Sequence, residues 1–409
     1  MRPRLLPSSR RGEIVSRPPS AFFPFKSPAT ALQCYNCPVS TDASGTPPSS
    51  ATLQRARALV LRHGWNAMAY QILNPGMKHW FSADGEAVVG YVTASNYRVV
   101  AGAPVGPPER LAEIADEFAA DTRRAGQRLC YFGAQERILD ILSARGPASA
   151  LLLGAQPVWD PRHWSAILSN KASLRAQLSR ARNKGVTVRP APIEPRQSEL
   201  QRCLDEWLRT RGLPPMHFLV EWNILPHLLD RRLFVAERAR QVVGFLIASP
   251  VPARDGWLIE QIIRGRAAPN GTTELLLDTA ICALAAEGAG YVTLGLSPLS
   301  RAVPQEPVPA WSVRLLLAWV RVHARRFYDF EGLERFKRKF QPESWEPIYA
   351  VTDRPRISLR TLYAIAGAFG GTSPVLFVAS ALLRALTQEA HWAAGAMRRQ
   401  WAFRPGRPC

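Results

Sequence analysis

Residues 256–298, GWLIEQIIRGRAAPNGTTELLLDTAICALAAEGAGYVTLGLSP, carry the pattern that decides the fold. The stretch opens with an apolar run of strand character and closes with a second one, YVTLGL. Between them the dipeptide Asn270-Gly271 marks a turn, and the apolar segment that follows has the length of a helix. Either Thr272 or Thr273 is expected to cap that helix. The stretch therefore predicts a strand, a turn, a helix and a further strand.

The same order of elements can be followed outward through the rest of the chain. Towards the N-terminus, the pattern predicts strands at 78–83, 86–94 and 97–102, a helix at 108–126, and the strands RLCYFGA and ALLLGAQPVW. Closer to the first stretch, it predicts the strand VTVRP, a helix at 195–211, and strands at 232–238 and 241–249; a helix at 311–327 follows. Three strands, a helix and a strand thus occur twice. This order predicts an α+β fold with two successive units, each a mixed sheet with packed helices.

Composition shifts divide the chain into four predicted parts. They are a disordered, basic, Pro/Ser-rich tail (1–50), a first unit (51–168), a second unit that carries the active site (169–352), and an apolar C-terminal helical extension (353–409). Within the extension, glycines and a proline divide the apolar segment 361–386 into two short pieces, so it is either a hairpin lying on a membrane or a packed helix pair. No uninterrupted apolar stretch reaches the roughly 18 residues of a membrane span.

The net charge favours partners that are polyanions. The chain has 52 lysines and arginines against 32 acids, a formal charge of +20, and such a surface attracts nucleic acid, anionic lipid or phosphorylated metabolites. Segment 171–190, KASLRAQLSRARNKGVTVRP, contains no acid. It is either a solvated basic helix or a surface for tRNA or another phosphate, and its candidate contacts are Arg175, Arg180, Arg182 and Lys184.

Several classes of chemistry lack their motifs. No serine-nucleophile elbow, phosphate-binding nucleotide loop, dinucleotide fingerprint or zinc-protease motif occurs, so neither a metal nor a cofactor is predicted. Cys34 and Cys37 form one C-x-x-C in the predicted tail, but a structural zinc site needs a second pair of ligands. The pair is interpreted as incidental, and a cytoplasmic location is expected because nothing requires an oxidising compartment.

Two strands end in candidate site residues. Strand alternation predicts that Glu260, Ile262 and Arg264 share one face, either as a simple cross-face ion pair or as groups that bind a ligand. The second strand runs out through Gly295 and Ser297, where α/β folds often expose backbone to ligands. An ordinary exit from strand to loop explains the second pattern equally well.

Residues 327–351, FYDFEGLERFKRKFQPESWEPIYAV, concentrate basic and aromatic side chains. Leu333, Phe336 and Phe340 are spaced to form one inward helical face. The basic residues Arg335, Lys337, Arg338 and Lys339 are predicted to fill the remaining circumference of the helix. Three aromatic residues border them: Tyr328, Trp345 and Tyr349. The basic residues form either a solvated helix end or a grip on an anion.

This stretch resembles the closing motif of the phosphatidylglycerol lysyltransferase C-terminal family. VVAGAPVGP, APNGTTELLLD and YVTLGLSPLS resemble further blocks of the family in the expected order, and the likeness covers about residues 52–352. The resemblance implies tandem acetyltransferase-like (GNAT-like) units. It also implies transfer of an amino acid from aminoacyl-tRNA to the headgroup of an anionic phospholipid. The product lipid carries less negative charge, which lowers the attraction of cationic antimicrobial peptides.

The resemblance also implies roles for individual residues. Lys337, Arg264 and Glu260 are the candidate catalytic residues, with Lys337 beside the substrate ester or phosphate. The candidate substrate-binding residues are Gln261, Asn270, Gly271, Glu274, Ser297, Arg335, Arg338 and Trp345. The family has an aspartate three residues before the strand arginine, and Gln261 stands there instead, so the transferred amino acid stays open.

The resemblance further implies a stand-alone synthase, without the N-terminal flippase region of full-length members, at the inner face of the cell membrane. Other functions compete with it. An acyltransferase that uses coenzyme A is one, although RGRAAPNGTTELL is a poor match to the loop that such enzymes carry. Transfer to a different acceptor is another, and a non-catalytic module that binds tRNA or an anionic membrane is a third.

Overall fold

The computed structural model describes residues 49–370, except 193, 195, 210–217, 220, 222–223, 305–310, 312 and 316–328. The helices are α1 (Ser50–His63), α2 (Leu111–Arg124), α3 (Glu136–Ser143), α4 (Trp164–Asn170), α5 (Ala172–Asn183), α6 (Gln197–Leu208), α7 (Thr272–Ala286), α8 (Phe330–Arg338) and α9 (Leu359–Gly370). The strands are β1 (Lys78–Phe81), β2 (Val88–Ala94), β3 (Tyr97–Ala101), β4 (Arg128–Ala134), β5 (Ser149–Trp159), β6 (Val186–Pro190), β7 (Arg232–Arg238), β8 (Gln241–Val251), β9 (Gly256–Arg264), β10 (Tyr291–Thr293), β11 (Ser297–Pro298) and β12 (Ser344–Thr352).

All the described strands belong to one mixed sheet. Its order is β1-β2-β3-β4-β12-β5-β10-β9-β8-β7-β6, and β11 pairs with β5. Among the strand pairs that the structure describes, only β3 with β4 and β9 with β10 run parallel. Each parallel pair is joined by a helix, α2 in the first half and α7 in the second, because parallel neighbours need a long crossover. The order of elements that occurs twice in the sequence therefore corresponds to two crossovers in the structure, one through α2 and one through α7.

The two halves of the sheet exchange strands at the centre. β12, late in the sequence, lies between β4 and β5 of the first half. β5, in turn, pairs with β10 of the second half. The register of β12 shifts at Ile348/Tyr349 against β5, which marks a bulge where the strand changes direction. The sheet is therefore continuous across the two predicted units.

Helices cover both faces of each half. On β3, the neighbours Val99 and Val100 belong to different apolar clusters, one packed by α1 and α9 and the other by α2 and α3. On β8, Phe245 packs with α6 and Leu246 with α5 and α7. This alternation is the period of two that a strand buried on both faces must show.

The predicted fold class, a mixed sheet with packed helices, is confirmed. β7 has the predicted bounds, and β2, β3, β8 and β9 differ from the predicted ranges by a few residues at most. The predicted helix 108–126 begins as a 3-10 turn and becomes α2 at Leu111. The predicted closing strand is two short pieces, β10 and β11, separated by the positive φ of Gly295. The boundaries of the four predicted parts stay a prediction.

Three elements of the structure were absent from the sequence-based prediction, and some predictions cannot be compared with it. α3, α4 and β12 were not predicted, although β12 is central. The tail with Cys34 and Cys37 lies outside the described residues, as do most of the predicted helix 311–327 and the part of 361–386 after Gly370. Across the residues that the structure does describe, no helix combines the length and apolarity that a membrane crossing requires.

The start of α7 corrects one prediction. The capping position is Gly271 with φ +96°, not a threonine. The Thr272 hydroxyl instead donates to the carbonyl of Pro269 at 2.8 Å. A Cβ on Gly271 would lie 2.2 Å from the backbone oxygen of Gln177 in α5, so α5 and α7 pack closely because this position lacks a side chain.

We expect Gly271→Ala to lower the free energy of unfolding by at least about 2 kcal/mol, through positive-φ strain and the backbone clash together. Gly185→Ala is the matched control, because Gly185 also has a positive φ, +77°, but nothing lies within 4 Å of its Cβ position. Urea unfolding of both variants measures the difference. Equal losses in the two variants would show that the close approach of α5 contributes nothing.

Candidate active site

Lys337 of α8 is a buried amine. Only 4% of the residue is exposed. Its Nζ donates to the carbonyl oxygens of Gly295 at 2.8 Å and Leu296 at 2.9 Å, just beyond the end of β10. No ion pair between Lys337 and a carboxylate occurs among the described residues. A lysine placed this way is a candidate for chemistry, because buried cations are normally paired.

The packing of α8 explains how the amine is held in place. Asp329 caps the helix by accepting from the backbone N–H of Gly332 at 2.8 Å. Phe336 and Phe340 pack into the second-half core, as their spacing predicted, and Trp159 Nε1 donates to the carbonyl of Phe340 at 3.0 Å. The prediction that Lys337 lies on the outer circumference was wrong. Packing of both phenylalanines under the helix turns the lysine towards the carbonyl groups after β10.

Burial sets the protonation state of Lys337. It lowers the pKa of the amine to about 7, because the charged form loses its hydration without gaining a carboxylate. A neutral amine has two N–H donors and one lone pair. The carbonyl groups of Gly295 and Leu296 accept the two N–H groups, so the lone pair is left to take a proton. This arrangement suits a general base that works near neutral pH.

The same shift predicts how stability depends on pH. The folded pKa of Lys337 lies below its unfolded value, so the charged amine destabilises the fold fully below about pH 7, and the penalty fades as pH rises towards the unfolded value. We expect the unfolding free energy of the wild type, minus that of Lys337→Met, to rise above pH 7 by up to about 1.4 kcal/mol per pH unit. Urea unfolding from pH 5 to 9 measures this difference.

Lys339→Met is the control for that titration, since its amine is paired with Glu274 and partly exposed. Because Lys337 is intact in this variant, its unfolding free energy should still rise above pH 7 as that of the wild type does. Curves for Lys337→Met that stay parallel to the wild type above pH 7 would contradict the assignment of a depressed pKa.

Ser297 lies beside the carbonyl groups that hold Lys337. The residue is fully buried, and its hydroxyl has no hydrogen-bond partner in the described part of the chain. Its backbone pairs with Ala155 of β5, and a Cβ on neighbouring Gly154 would lie 2.1 Å from the Ser297 carbonyl oxygen. Lys337 and Ser297 were predicted from separate motifs, and in the structure both lie beside the carbonyl groups of Gly295 and Leu296.

Arg264 and Asn270 meet at the start of α7. The Arg264 guanidinium donates to the carbonyl of Ala268 at 3.0 Å and to Asn270 Oδ1 at 3.1 Å. Glu274, in the first turn of α7, forms an ion pair with Lys339 of α8. The structure thus joins three predicted residues around one helix N-terminus, which Gly271 caps. Arg264 and Asn270 are exposed there and accessible to a substrate.

Glu260 lies elsewhere, and the predicted common face with Arg264 was wrong. The register between β8 and β9 shifts at Ile247/Ala248, so Glu260 is the extra residue of a bulge. Its carboxylate accepts from Arg231 Nε at 3.0 Å and from the Ser249 hydroxyl. The catalytic role predicted for Glu260 gains no support, because this buried carboxylate serves as the partner of Arg231.

The remaining predicted residues are distributed over the surface and the sheet. Gln261 donates to the carbonyl of Glu221 at 2.8 Å. Arg335 is exposed, whereas Arg338 donates to Glu334 Oε1 at 2.8 Å and lies 5.5 Å from the ring centroid of Trp345. These contacts make the outer side of α8 a basic surface with an aromatic border, as predicted.

The basic segment is helix α5, and its arginines differ in their partners. Arg175 donates to the carbonyl of Leu168 at 2.8 Å. Arg182 donates to Asp278 of α7 at 2.9 Å, an acid that lies outside the segment. Arg180 and Lys184 are exposed. The helix therefore keeps an exposed cationic side, although Arg182 is partly neutralised.

Sequence reasoning missed a polar network around Glu346 of β12. Glu346 accepts from Arg254 at 2.6 Å, Gln135 at 2.7 Å and Gln156 at 2.8 Å. It also accepts from the Tyr291 hydroxyl at 3.2 Å. Burial alone would raise the pKa of Glu346, but the donors, led by Arg254, lower it. The network joins strands of both halves at the centre of the sheet, where β12 lies between β4 and β5.

A weak signal for this network was present in the sequence. Glu346 stands between Trp345 and Pro347 in a segment that was not predicted as a strand. Had this segment been predicted as a strand, the alternation of its side chains would have placed its single acid, Glu346, on a face that packs into the protein. Arg254 lies in a turn between two strands, where no pattern distinguishes it from a solvated arginine.

The fold corresponds to that of known solved structures. L-PGS from Bacillus licheniformis aligns with a TM-score of 0.66 and 21% identity, covering 83% of this chain and 98% of that one. The C-terminal domain of a protein designated a lysylphosphatidylglycerol synthetase in Agrobacterium fabrum aligns with a TM-score of 0.67 and 22% identity, covering 78% and 98%. At these identities the likeness establishes the fold.

The sequence then establishes the family. The profile of "Phosphatidylglycerol lysyltransferase, C-terminal" matches residues 57–352, and the chain belongs to this family. It is 24% identical over 322 residues to the phosphatidylglycerol lysyltransferase of Bacillus subtilis, covering 78% of this chain. It is 26% identical over 283 residues to the lysylphosphatidylglycerol biosynthesis bifunctional protein LysX of Mycolicibacterium vanbaalenii, covering 68%. The chain spans 37% and 25% of the lengths of these two relatives.

Proposed function

We propose that this protein transfers an aminoacyl group from aminoacyl-tRNA to phosphatidylglycerol at the inner face of the cell membrane. The observation that carries the proposal is Lys337, a buried amine with a pKa near neutrality whose two N–H groups are held by backbone carbonyls. Membership of the family supports it, and so do the names of the relatives, which describe lysyl transfer to this lipid. The basic side of α5 supplies a surface for tRNA phosphates.

The chemistry needs no covalent enzyme intermediate, because an aminoacyl ester is already activated. A hydroxyl of the lipid headgroup attacks the ester carbonyl carbon, and Lys337 takes the hydroxyl proton. The new C–O bond to the lipid forms, and the C–O bond to the terminal tRNA ribose breaks. The proton on Lys337 then passes to the departing ribose oxygen, which returns the amine to its neutral state.

Positioning supplies the rest of the rate enhancement. Arg264 is exposed beside the N-terminus of α7, where a guanidinium and free backbone N–H groups favour a phosphate or a developing oxyanion. Gln261, in place of the family's aspartate, carries no charge for an aminoacyl ammonium. The amino acid is therefore left to experiment rather than assigned as lysine.

The test reconstitutes transfer with purified chain, phosphatidylglycerol vesicles and tRNA charged with the full set of amino acids. Mass spectrometry of the extracted lipids reads both the reaction and the amino acid. We expect a new aminoacylated phosphatidylglycerol that depends on charged tRNA and disappears with Lys337→Met. Folded protein that yields no new lipid but binds tRNA and anionic vesicles would replace this proposal with a binding role.

A second set of vesicles distinguishes transfer to phosphatidylglycerol from transfer to another acceptor. Vesicles of phosphatidylcholine alone should give no product, because their headgroup offers no glycerol hydroxyl. Loss of aminoacyl-tRNA without a matching lipid product would indicate a different acceptor.

A further inference from the structure

The last described helix, α9, is apolar on two opposite sides. Four residues form its inner side, at the spacing of one helical face: Thr361, Ala364, Ile365 and Ala368. This side is buried against β2 and β3. On the outer side, Leu359, Tyr363 and Ala366 follow a helical spacing of their own and are exposed. A helix that rests on a sheet normally turns polar side chains to water, so an apolar outer side indicates a partner other than water.

Contacts at both ends fix which side of α9 faces outward. At the start, the Thr361 hydroxyl lies 3.2 Å from the hydroxyl of Tyr97 in β3. At the end, the ring of Phe369 meets the ring of Phe132 in β4 edge-on, with 4.9 Å between their centroids. Leu359 is 53% exposed, and rolling the helix to bury it would break these contacts. The exposure of the outer side is therefore built into the way the helix packs.

Three arginines border the apolar outer side. Arg354 and Arg356 precede α9, Arg360 lies in its first turn, and all three are exposed. Among the described residues no carboxylate forms an ion pair with them. Residues 354–370 contain no acid, and the acid just before them, Asp353, is partly buried. The helix macrodipole disfavours cations at a helix N-terminus, so these arginines do not serve the stability of α9.

The α9 surface consists of the three arginines and two residues of the outer side: Arg354, Arg356, Arg360, Leu359 and Tyr363. We propose that this surface docks on an anionic phospholipid bilayer. The arginines lie against lipid phosphates, Leu359 enters the boundary between headgroups and acyl chains, and Tyr363 lies at the level of the headgroups. Because the apolar area is small, docking depends on the anionic lipid as much as on Leu359.

The composition of the α9 surface distinguishes a bilayer from other partners. Nucleic acid would pair with the arginines but offers no apolar medium for Leu359. A second copy of the chain would bring a further formal charge of +20 towards the arginines. Residues 371–409 carry the same sign, with five arginines and one acid. An anionic bilayer matches both the charge and the apolar side chains.

Docking through the α9 surface is separate from binding of the acceptor headgroup. The lipids under this surface are not the ones on which Lys337 acts, and the surface serves to hold the enzyme where phosphatidylglycerol is concentrated. The inference rests on the proposed transfer only in naming the cell membrane as the source of the lipid. Docking is measured without aminoacyl-tRNA, so docking and transfer can fail independently.

Flotation of the full chain with vesicles measures docking. The wild type should bind vesicles of phosphatidylglycerol mixed into phosphatidylcholine at least about tenfold more tightly than vesicles of phosphatidylcholine alone. The first variant combines Arg354→Gln, Arg356→Gln and Arg360→Gln. It should bind the mixed vesicles at least about 30-fold less tightly, since each arginine near an anionic surface contributes about fivefold. The second variant, Leu359→Gln, should bind at least about threefold less tightly, because the apolar contact with the acyl chains is lost.

Matched controls separate the α9 surface from charge and apolarity in general. Arg123→Gln, Arg124→Gln and Arg145→Gln, combined, remove the same charge from exposed arginines beside α2 and α3, on the opposite face of the sheet. Leu229→Gln changes a leucine that is 64% exposed in the second half. Both controls should bind the mixed vesicles within about twofold of the wild type, because distant charges are screened and single exposed leucines are ordinary.

The transfer reaction provides a second readout. With vesicles, the two α9 variants should raise KM for phosphatidylglycerol and leave kcat at saturating vesicle concentration unchanged. The second substrate is dihexanoyl phosphatidylglycerol, dispersed as monomers below its critical micelle concentration. Both variants should transfer to it at the wild-type rate, because no bilayer is present. A loss of transfer to the monomeric lipid would place these residues in the active site and overturn the docking role.

Other results would also overturn the inference. Mixed-vesicle binding that is the same in the wild type and both α9 variants would exclude docking by this surface, even if the chain makes aminoacylated lipid. A dimer in sedimentation that Leu359→Gln dissociates, with vesicle binding unchanged, would assign the surface to a second copy of the chain. Conversely, binding that depends on the α9 surface in a chain that makes no aminoacylated lipid would support docking and overturn the transfer.

Discussion

Lys337→Met is expected to lower the rate of aminoacyl transfer by at least about 100-fold, the usual contribution of a positioned general base. Methionine is an unbranched, apolar side chain of nearly the same length that lacks the amine. The loss should appear in kcat, since the proton moves only as the hydroxyl attacks. Single-turnover transfer from charged tRNA to phosphatidylglycerol vesicles is the measurement. The rate of the wild type should fall below about pH 7, where the amine becomes protonated, and the variant should lose this acid limb.

Lys339→Met is the control in the same helix. Its amine is engaged by Glu274 rather than by the carbonyls after β10, so transfer should stay within a few-fold of the wild type. A Lys337→Met protein that keeps more than half of the wild-type rate would end the assignment of Lys337 as the base. Lys337→Arg is not a rescue, because guanidinium stays protonated at every accessible pH.

Glu346→Ala is expected to lower the free energy of unfolding by about 3 kcal/mol, because it leaves the mostly buried Arg254 without its counter-charge. The change also removes the shared acceptor of Gln135, Gln156 and the Tyr291 hydroxyl. Each buried donor without an acceptor adds to the cost. Urea unfolding, analysed as a two-state transition only where different probes coincide, provides the measurement.

Two further variants show whether the network, rather than any glutamate, is responsible. Glu287→Ala removes the acid of a surface pair with Arg232 and should cost less than about 1 kcal/mol. Glu346→Gln keeps the shape and an acceptor oxygen and should fall between the two. If Glu346→Ala lowered the free energy of unfolding no more than Glu287→Ala does, the network would add nothing measurable to the backbone pairing of these strands.

The fold could be predicted from the sequence where the signal was local. The stretch around α7 contains its strand pattern, its Asn-Gly turn and its helix within about forty residues, and all three are found. The exchange of β12 into the first half could not be predicted, because its partners in β4 and β5 lie far away in sequence. The bulge at Glu260 had no composition signal either, so strict alternation failed there.

The candidate site shows the same limit at the level of single residues. The importance of Lys337 came from its resemblance to the family motif, but its burial did not. A lysine among basic residues on a short helix is ordinarily solvated. Its environment is made by carbonyl groups of Gly295 and Leu296, which only the folded sheet brings close. Some residues owe their role to backbone groups or side chains that are far away in the sequence, as Arg254 and Glu346 do. No spacing pattern in the sequence identifies such residues.

The exchanged strands also affect how the protein is made. A ribosome delivers β4 and β5 well before β12, so the first half leaves the exit tunnel before the strand that lies between β4 and β5 is made. Exposed strand edges and late pairing slow folding and invite association with other chains. Neither half can finish alone: translation must pass residue 352 before the central strand is available. A chaperone that shields the waiting edges of β4 and β5 would then protect the nascent chain at its most vulnerable stage.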